Sequence, residues 1–358
     1  MNEDLVKQFF KMVEINSESG EEREFIAYLE TLFRNELDAQ TETDKFGNLI
    51  IRLDGNNTEK TQPILFGVHA DTVQPGKNIE PLLENGIIRS KGDTILGADD
   101  KAGIVELFEA IKTSKSYPPL EIIVTREEEI GTVGSKSLDA KQLKSKEGYV
   151  IDGDVLNVIV LGGPTYIRLT AEITGKAAHA GMEPEKGISS IKAAAYAISM
   201  LKEGWIDNES TVNVGVINGG LVTNAVPEKT TVKIECRSLS DKKCREQADL
   251  IKEVFSTASR SIGAQVEHKV EVLMEAVKIT ENSKFVNIAK KAIRNVGLEP
   301  ITKLICGGTD ASHYNAKGIE TVVIGTGVQK EHTKEEFITV DDMEKGVEMI
   351  RMILKESS

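Results

Sequence analysis

The 358-residue chain is 40% hydrophobic and 28% charged, proportions of a globular protein that folds in water, and it is too long for one ordinary core, so two domains are expected. Its net charge of −13, without a Lys/Arg stripe interleaved with aromatics, argues against nucleic-acid partners and anionic membrane surfaces. The N-terminus MNEDLVKQFFKMVEINSESG does not read as a secretory signal, no window approaches a membrane span, and Cys236, Cys244 and Cys306 fit neither a disulfide framework nor a zinc knuckle, which points to a reducing cytoplasm.

Residues 4–34 carry apolar side chains at helical spacing and predict an amphipathic helix broken near Ser17-Glu18-Ser19-Gly20. ILFGV (64–68), IIV (122–124), YVI (149–151) and VVI (322–324) are short, continuous apolar runs that suit strands buried on both faces of a sheet. Helical stretches at 102–112 and 283–296 alternate with them, so the fold class is α/β, a mixed, mostly parallel sheet flanked by helices. Residues 166–274 change pattern to strand, helix, strand, strand, helix, strand, the ferredoxin-like order. Because α/β character then resumes, the middle reads as an insertion. The expected domains are a metal-binding catalytic domain, residues 1–164 plus 278–358, and an inserted α+β lid, residues 165–277.

The residues just beyond each buried run carry the chemistry. ILFGV leads into His69-Ala70-Asp71, IIVT into Arg126-Glu127-Glu128-Glu129, YVI into Asp152-Gly153-Asp154, and VVIGTG precedes His332. Ligands of open α/β sheets bind outside the strands' carboxyl ends, so these residues should converge, joined by Asp99 and Asp100 at the start of a predicted helix. Two histidines with several carboxylates and no cysteine suit zinc, cobalt or manganese. The carboxylates exceed the needs of one ion, and two ions sharing one carboxylate would account for the excess while holding a nucleophilic water between them. Taken singly, each element has a plain alternative: a helix cap for Asp99 and Asp100, solvated turns for the acidic triplet and for His332. Their joint occurrence in this order favours the metal site. Adjacent Glu128 and Glu129 point apart, so one can bind metal while the other acts as a general base.

Together GVHADTV, GADDKAG, TREEEIG, VIDGD, KAAHAG, TNAVPE, ECRS, GGTDAS and EHTKEEF resemble the di-zinc peptidases that include peptidase T, glutamate carboxypeptidase, aminoacylase and succinyl-diaminopimelate desuccinylase. LGADDKAG with VIDGD resembles the peptidase T branch, the tripeptide aminopeptidases and their shorter relatives. The resemblance implies a zinc-exopeptidase fold and two divalent ions per chain, zinc first, with cobalt or manganese as alternatives. It implies that His69, Asp99 and Asp152 hold one ion and Asp99, Glu129 and His332 the other, with Asp99 joined to Asp100 by a cis peptide. It makes Glu128 the general base and lets Asp71 orient His69. In the lid, His179 would reach a partner subunit's site and donate to the developing oxyanion, and Asn224 and Arg237 would contact the substrate backbone or terminal carboxylate. His313 is less suited as a ligand, because His332 already fills that place, and His268 reads as a solvent-facing strand residue.

The expected activity is a metal-dependent exopeptidase for short peptides, a tripeptide aminopeptidase acting as a homodimer through its lid. An N-acyl-amino-acid deacylase or carboxypeptidase is the alternative within the family, and a non-catalytic metal-binding protein the alternative outside it.

Overall fold

The computed structural model describes residues 2–358, which divide into a first unit, up to Gly162 with Lys278–Leu304 and Gly308–Ser358, and a second, Gly163–Val277 with Ile305–Gly307. In the first unit, Leu5, Val6, Phe9, Met12 and Val13 form the buried stripe of helix Glu3–Val13, which Asn2 caps by accepting the Leu5 N–H. The chain breaks at Ser17–Gly20 and a second helix comes next, Arg23–Leu37. Behind these lies an eight-stranded sheet in the order Gln40–Thr43, Leu49–Leu53, Leu120–Thr125, Ile64–His69, Glu147–Gly153, Glu320–Gly325, Val158–Val160, Ile301–Lys303. The four strands from Leu120–Thr125 to Glu320–Gly325 are mutually parallel and antiparallel pairs flank them, so the sheet is mixed and mostly parallel, as expected. Every residue of Ile64–His69 and Leu120–Thr125 is buried, on both faces alike.

Helices Ala98–Thr113, Lys284–Asn295 and Val340–Ser357 also belong to this unit. On Ala98–Thr113, Glu106 is fully buried with neither carboxylate oxygen hydrogen-bonded among the described residues, and it lies so close to Gly346 that a Cβ there would meet Oε2 at 2.1 Å. Burial first, and the Asp342 charge second, raise its pKa well above the usual glutamate range. A raised folded-state pKa means stability that is full below the unfolded pKa and is lost as pH rises towards the folded one. Glu106→Met, which removes the unpaired group at similar length, is therefore expected to raise stability at pH 8 by on the order of 1–3 kcal/mol, with the gain shrinking towards pH 4.5. Urea unfolding at the two pH values checks this. A loss of equal size at both would show Glu106 to be satisfied in the fold.

The second unit is a ferredoxin-like α+β domain. Its antiparallel sheet runs Gly204–Trp205, Ser210–Gly219, Lys229–Ser238, Thr165–Thr174, Gln265–Met274. Alternate residues Ile167, Leu169, Ala171 and Ile173 meet Val232, Ile234 and Cys236 in one core with Ile251 and Phe255 of helix Asp241–Ile262 and the alanines of helix Ser190–Met200. Cys236 and Cys244 are buried here as free thiols, their sulfurs 3.9 Å apart. His268 does not face solvent: it is half-buried, with Nε2 3.1 Å from Ser256 Oγ on helix Asp241–Ile262. Among the described residues no helix is long and apolar enough to cross a membrane.

Candidate metal centre

In the first unit the register sets His69 beside Thr125 and Gly153 beside Gly325, so the carboxyl ends of the four parallel strands lie side by side. Strand Ile64–His69 ends on His69, strand Glu147–Gly153 carries Asp152 one residue before its end, the turn after Thr125 carries Glu128 and Glu129, and His332 comes after Gly325 by a short excursion. Asp99 and Asp100, joined by a cis peptide, interrupt the first turn of Ala98–Thr113 with non-helical backbone angles.

Two trios result. His69 Nε2 lies 3.1 Å from Asp99 Oδ1 and 3.4 Å from Asp152 Oδ1. His332 Nε2 lies 3.1 Å from Asp99 Oδ2 and 2.9 Å from Glu129 Oε2. The two oxygens of Asp99 thus face different histidines. Asp100 is near enough to offer an oxygen to the His69 and Asp152 side. Its Oδ2 instead accepts the His69 N–H at 3.2 Å from a buried position, bracing that strand end. Gly103 makes room for it, since a Cβ there would meet Asp100 Oδ1 at 2.2 Å.

Asp71, fully buried, joins the trios to the acidic turn. Its backbone carbonyl lies 2.9 Å from His69 Nδ1, while its carboxylate stands 3.6 Å from that nitrogen. The carboxylate accepts the N–H groups of Glu128 (2.9 Å) and Glu129 (3.1 Å) and the Ser19 hydroxyl (2.7 Å). Glu22 grips the same turn from the other side, accepting the Glu127 N–H at 3.2 Å and pairing with Arg126 at 2.7 Å. Glu127 and Thr132 have φ of 55° and 53°, a left-handed conformation unusual for such residues; the Glu22 carboxylate holds the Glu127 N–H, and the Thr132 N–H donates to the Glu128 carbonyl at 2.7 Å. His313 is not among the trios: its Nε2 meets Thr132 Oγ1 at 2.8 Å, and burial, then Lys317 and Lys136, lower its pKa to about 4, so it is neutral at pH 7.

The centre demands positive charge. Burial pulls the His69 imidazole down, yet hydrogen bonds to Asp152, Asp71 and Asp99 more than reverse this and hold it well above its usual range. Asp99 and Glu129 push His332 up to about 11. Burial, with Asp152 next, raises the Glu128 carboxyl well above the ordinary glutamate range. Divalent cations meet the same demand. Ligand lengths of about 2.0–2.1 Å in a tetrahedral site put neighbouring ligand atoms roughly 3.3 Å apart, close to the histidine-to-carboxylate distances of 2.9–3.4 Å in the two trios. Glu129 Oε1 is buried with no hydrogen-bond partner among the described residues. The residues therefore fit two divalent ions, and the oxygen and imidazole donors suit zinc, cobalt or manganese.

The remaining candidates lie in the second unit. His179 and Asn224 meet there: His179 bridges Ala225, and the Ala180 N–H donates to the Asn224 carbonyl at 3.0 Å. Arg237 stands elsewhere, one residue before the end of strand Lys229–Ser238, stacked 4.2 Å over the Tyr166 ring and paired with Glu235 at 3.1 Å. Sequence reasoning passed over Asp310 and Glu336. Asp310 is buried and accepts the Thr125 hydroxyl; Glu336 accepts four backbone N–H groups around Asp99. Within EHTKEEF, Glu336 carries no mark that separates it from its acidic neighbours.

Residues 65–356 match peptidase family M20/M25/M40. The chain is 38% identical to "Uncharacterized protein YqjE" of Bacillus subtilis over 368 residues, 99% of this chain and 98% of that one. Among solved structures, an aminopeptidase PepT from Bacillus cereus superposes with a TM-score of 0.89 at 36% identity, covering 99% of this chain and 98% of the other. A tripeptidase from Staphylococcus aureus superposes with a TM-score of 0.92 at 32% identity, covering 99% and 97%.

Proposed function

The chain belongs to peptidase family M20/M25/M40 and is a metallopeptidase of the peptidase T-like branch, and on that premise we propose that it is a cytoplasmic tripeptide aminopeptidase. The observation that carries the reading is the pair of trios sharing Asp99, which offers one carboxylate oxygen to each histidine. In this reading His69, Asp99 and Asp152 hold one divalent ion and Asp99, Glu129 and His332 the other, zinc first. Bound there, the ions supply Lewis-acid polarisation of the scissile carbonyl and a water acidic enough to ionise near neutral pH.

The chain's own residues do the rest. The Glu128 carboxylate takes a proton from the attacking water as the new C–O bond forms, and gives it to the amine nitrogen as the C–N bond breaks. Asp71 aims Glu128 by holding its backbone N–H, and its carbonyl fixes the His69 ring. His179 donates to the developing oxyanion, and Asn224 and Arg237 hold the peptide.

The lid residues call for a second copy. Arg237 lies eight strand residues beyond Lys229, at the opposite end from His179 and Asn224, about 26 Å at 3.3 Å per residue. A tripeptide spans at most roughly 11 Å. One lid thus cannot bring both groups to one substrate, whereas two subunits can each lend one. The surface that supports such a dimer is the outer edge of strand Ser210–Gly219, where Thr211 and Val212 pair with Gly204–Trp205 and the Val214 N–H donates to Glu203, while among the described residues no strand pairs with residues 213–219 on that side. Beside this open edge Val216, Ile217 and Leu221 are exposed, as are Ile191, Tyr196 and Met200 of helix Ser190–Met200. Sedimentation is expected to find a dimer, and Ile217→Lys with Tyr196→Glu to halve the mass and greatly reduce activity. A fully active monomer would contradict the assignment of His179.

The substrate is tested with one tripeptide, free and N-acetylated, its products resolved by mass spectrometry with chelator and with zinc added back. Cleavage of the first bond, confined to the free peptide and dependent on metal, is the expected result, because a site built around an ammonium leaves its partners unpaired without it. Cleavage of the acetylated peptide would favour a deacylase or carboxypeptidase.

A further inference from the structure

We propose that Glu336 is a positioning residue that aims the shared carboxylate of Asp99 and ties it to His332, so that both segments assemble as one unit around a single ion. This rests on the reading of Asp99 and His332 as metal ligands. Glu336 is 1% exposed. Its Oε2 accepts the N–H groups of Leu96 and Gly97, each at 2.8 Å, and its Oε1 accepts those of Ala98 at 2.8 Å and Asp99 at 3.0 Å. Regular helix geometry is interrupted at Asp99 and Asp100, and Gly97, with φ of 68° and no side chain, caps nothing. The Gly97, Ala98 and Asp99 N–H groups are unpaired donors of a helix start, and the carboxylate of a residue some 240 positions away accepts from all three and from Leu96 before them.

Four bonds to one carboxylate fix four successive peptide planes, and with them the direction in which the Asp99 side chain leaves the backbone. The same glutamate closes the turn that bears His332. The Glu336 N–H donates to the Thr333 carbonyl at 3.1 Å, and the Thr333 hydroxyl donates to the Lys330 carbonyl at 2.7 Å. Displacing Glu336 therefore moves Asp99 and His332 together. Asp152, at a strand end, depends on neither.

Glu336→Gln keeps size and shape, but whichever way its amide turns, two N–H donors face an NH2 group. The expected result, by chelator competition with zinc, is that the ion at Asp99, Glu129 and His332, with two ligands disturbed, binds about 10- to 100-fold more weakly, while the ion at His69 and Asp152, with only Asp99 disturbed, weakens less. Amide hydrogen exchange should quicken at residues 96–99 and stay unchanged in the central strands. Glu336→Asp, which retains the charge on a shorter stem, should lose less, and it carries the test if the glutamine variant fails to fold. Both ions weakened by the same factor, or neither weakened, would overturn the proposal. His332→Ala and Asp99→Ala measured alongside separate the two readings. If they lose an ion and Glu336→Gln does not, the positioning role fails alone; if they also keep two ions, the ligand assignment fails with it.

Discussion

Glu128→Gln protein is expected to bind two ions per chain, as the unaltered protein should, and to turn over a tripeptide about 10²- to 10⁴-fold more slowly, the range a positioned general base contributes. The substitution keeps the shape of the side chain and the backbone N–H that Asp71 accepts, so the turn should hold. It removes the carboxylate to which the proposed mechanism gives the proton. Burial, with the Asp152 charge second, already raises the proton affinity of this carboxyl, the direction a base working near neutral pH requires. The loss should fall on kcat with KM little changed, because the group acts on the water and the leaving nitrogen, while binding of the peptide is left to other residues. Steady-state kinetics with metal analysis on the same preparation decides it. Turnover within tenfold of the parent would move the base to another residue, and Glu129 would be the first to test, since a slip of one position exchanges the two roles.

Asp99→Ala should have the larger effect on metal content: a fall from two ions per chain to one at most, with activity at background even in excess zinc. Asp99 offers an oxygen to each histidine, so its loss removes a ligand from both trios at once, whereas Asp152→Ala or Glu129→Ala removes one from a single trio. Metal analysis after gel filtration measures the difference directly. If Asp99→Ala retains two ions, the shared ligand is another carboxylate. Asp100, within reach of His69 and Asp152, is then the one to replace.

The class of fold, and the gathering of histidine and acidic residues at the strand ends, were legible in the order of residues alone. ILFGV, IIV, YVI and VVI could be read because a strand buried on both faces must be apolar throughout, and a buried apolar run that stops at His69, at Glu128-Glu129 or at Asp152 marks the carboxyl end of a strand, where open α/β sheets bind ligands. The insert was legible for a related reason: its sheet has one covered face, so Ile167, Leu169, Ala171 and Ile173 alternate with polar residues. Strand Leu49–Leu53 was passed over, because NLIIRL is no more apolar than a short buried helix. Helix Val340–Ser357 escaped because its buried Met343, Val347 and Ile350 stand among charged neighbours.

How the centre is held emerges only in three dimensions. Hydrogen bonds between residues far apart in the chain leave no periodic trace, because a carboxylate that accepts buried backbone N–H groups has the same one-letter code as one in solvent. Hence Glu336 looks like part of a charged surface turn in the sequence and is the clamp on Asp99 in the fold. Asp71 is the same case. The resemblance implied that Asp71 orients the His69 ring, and the structure has the Asp71 carboxylate holding the backbone of the acidic turn while its carbonyl meets the imidazole. Periodicity records which face of an element is buried, and it carries no record of which distant backbone a buried polar group meets.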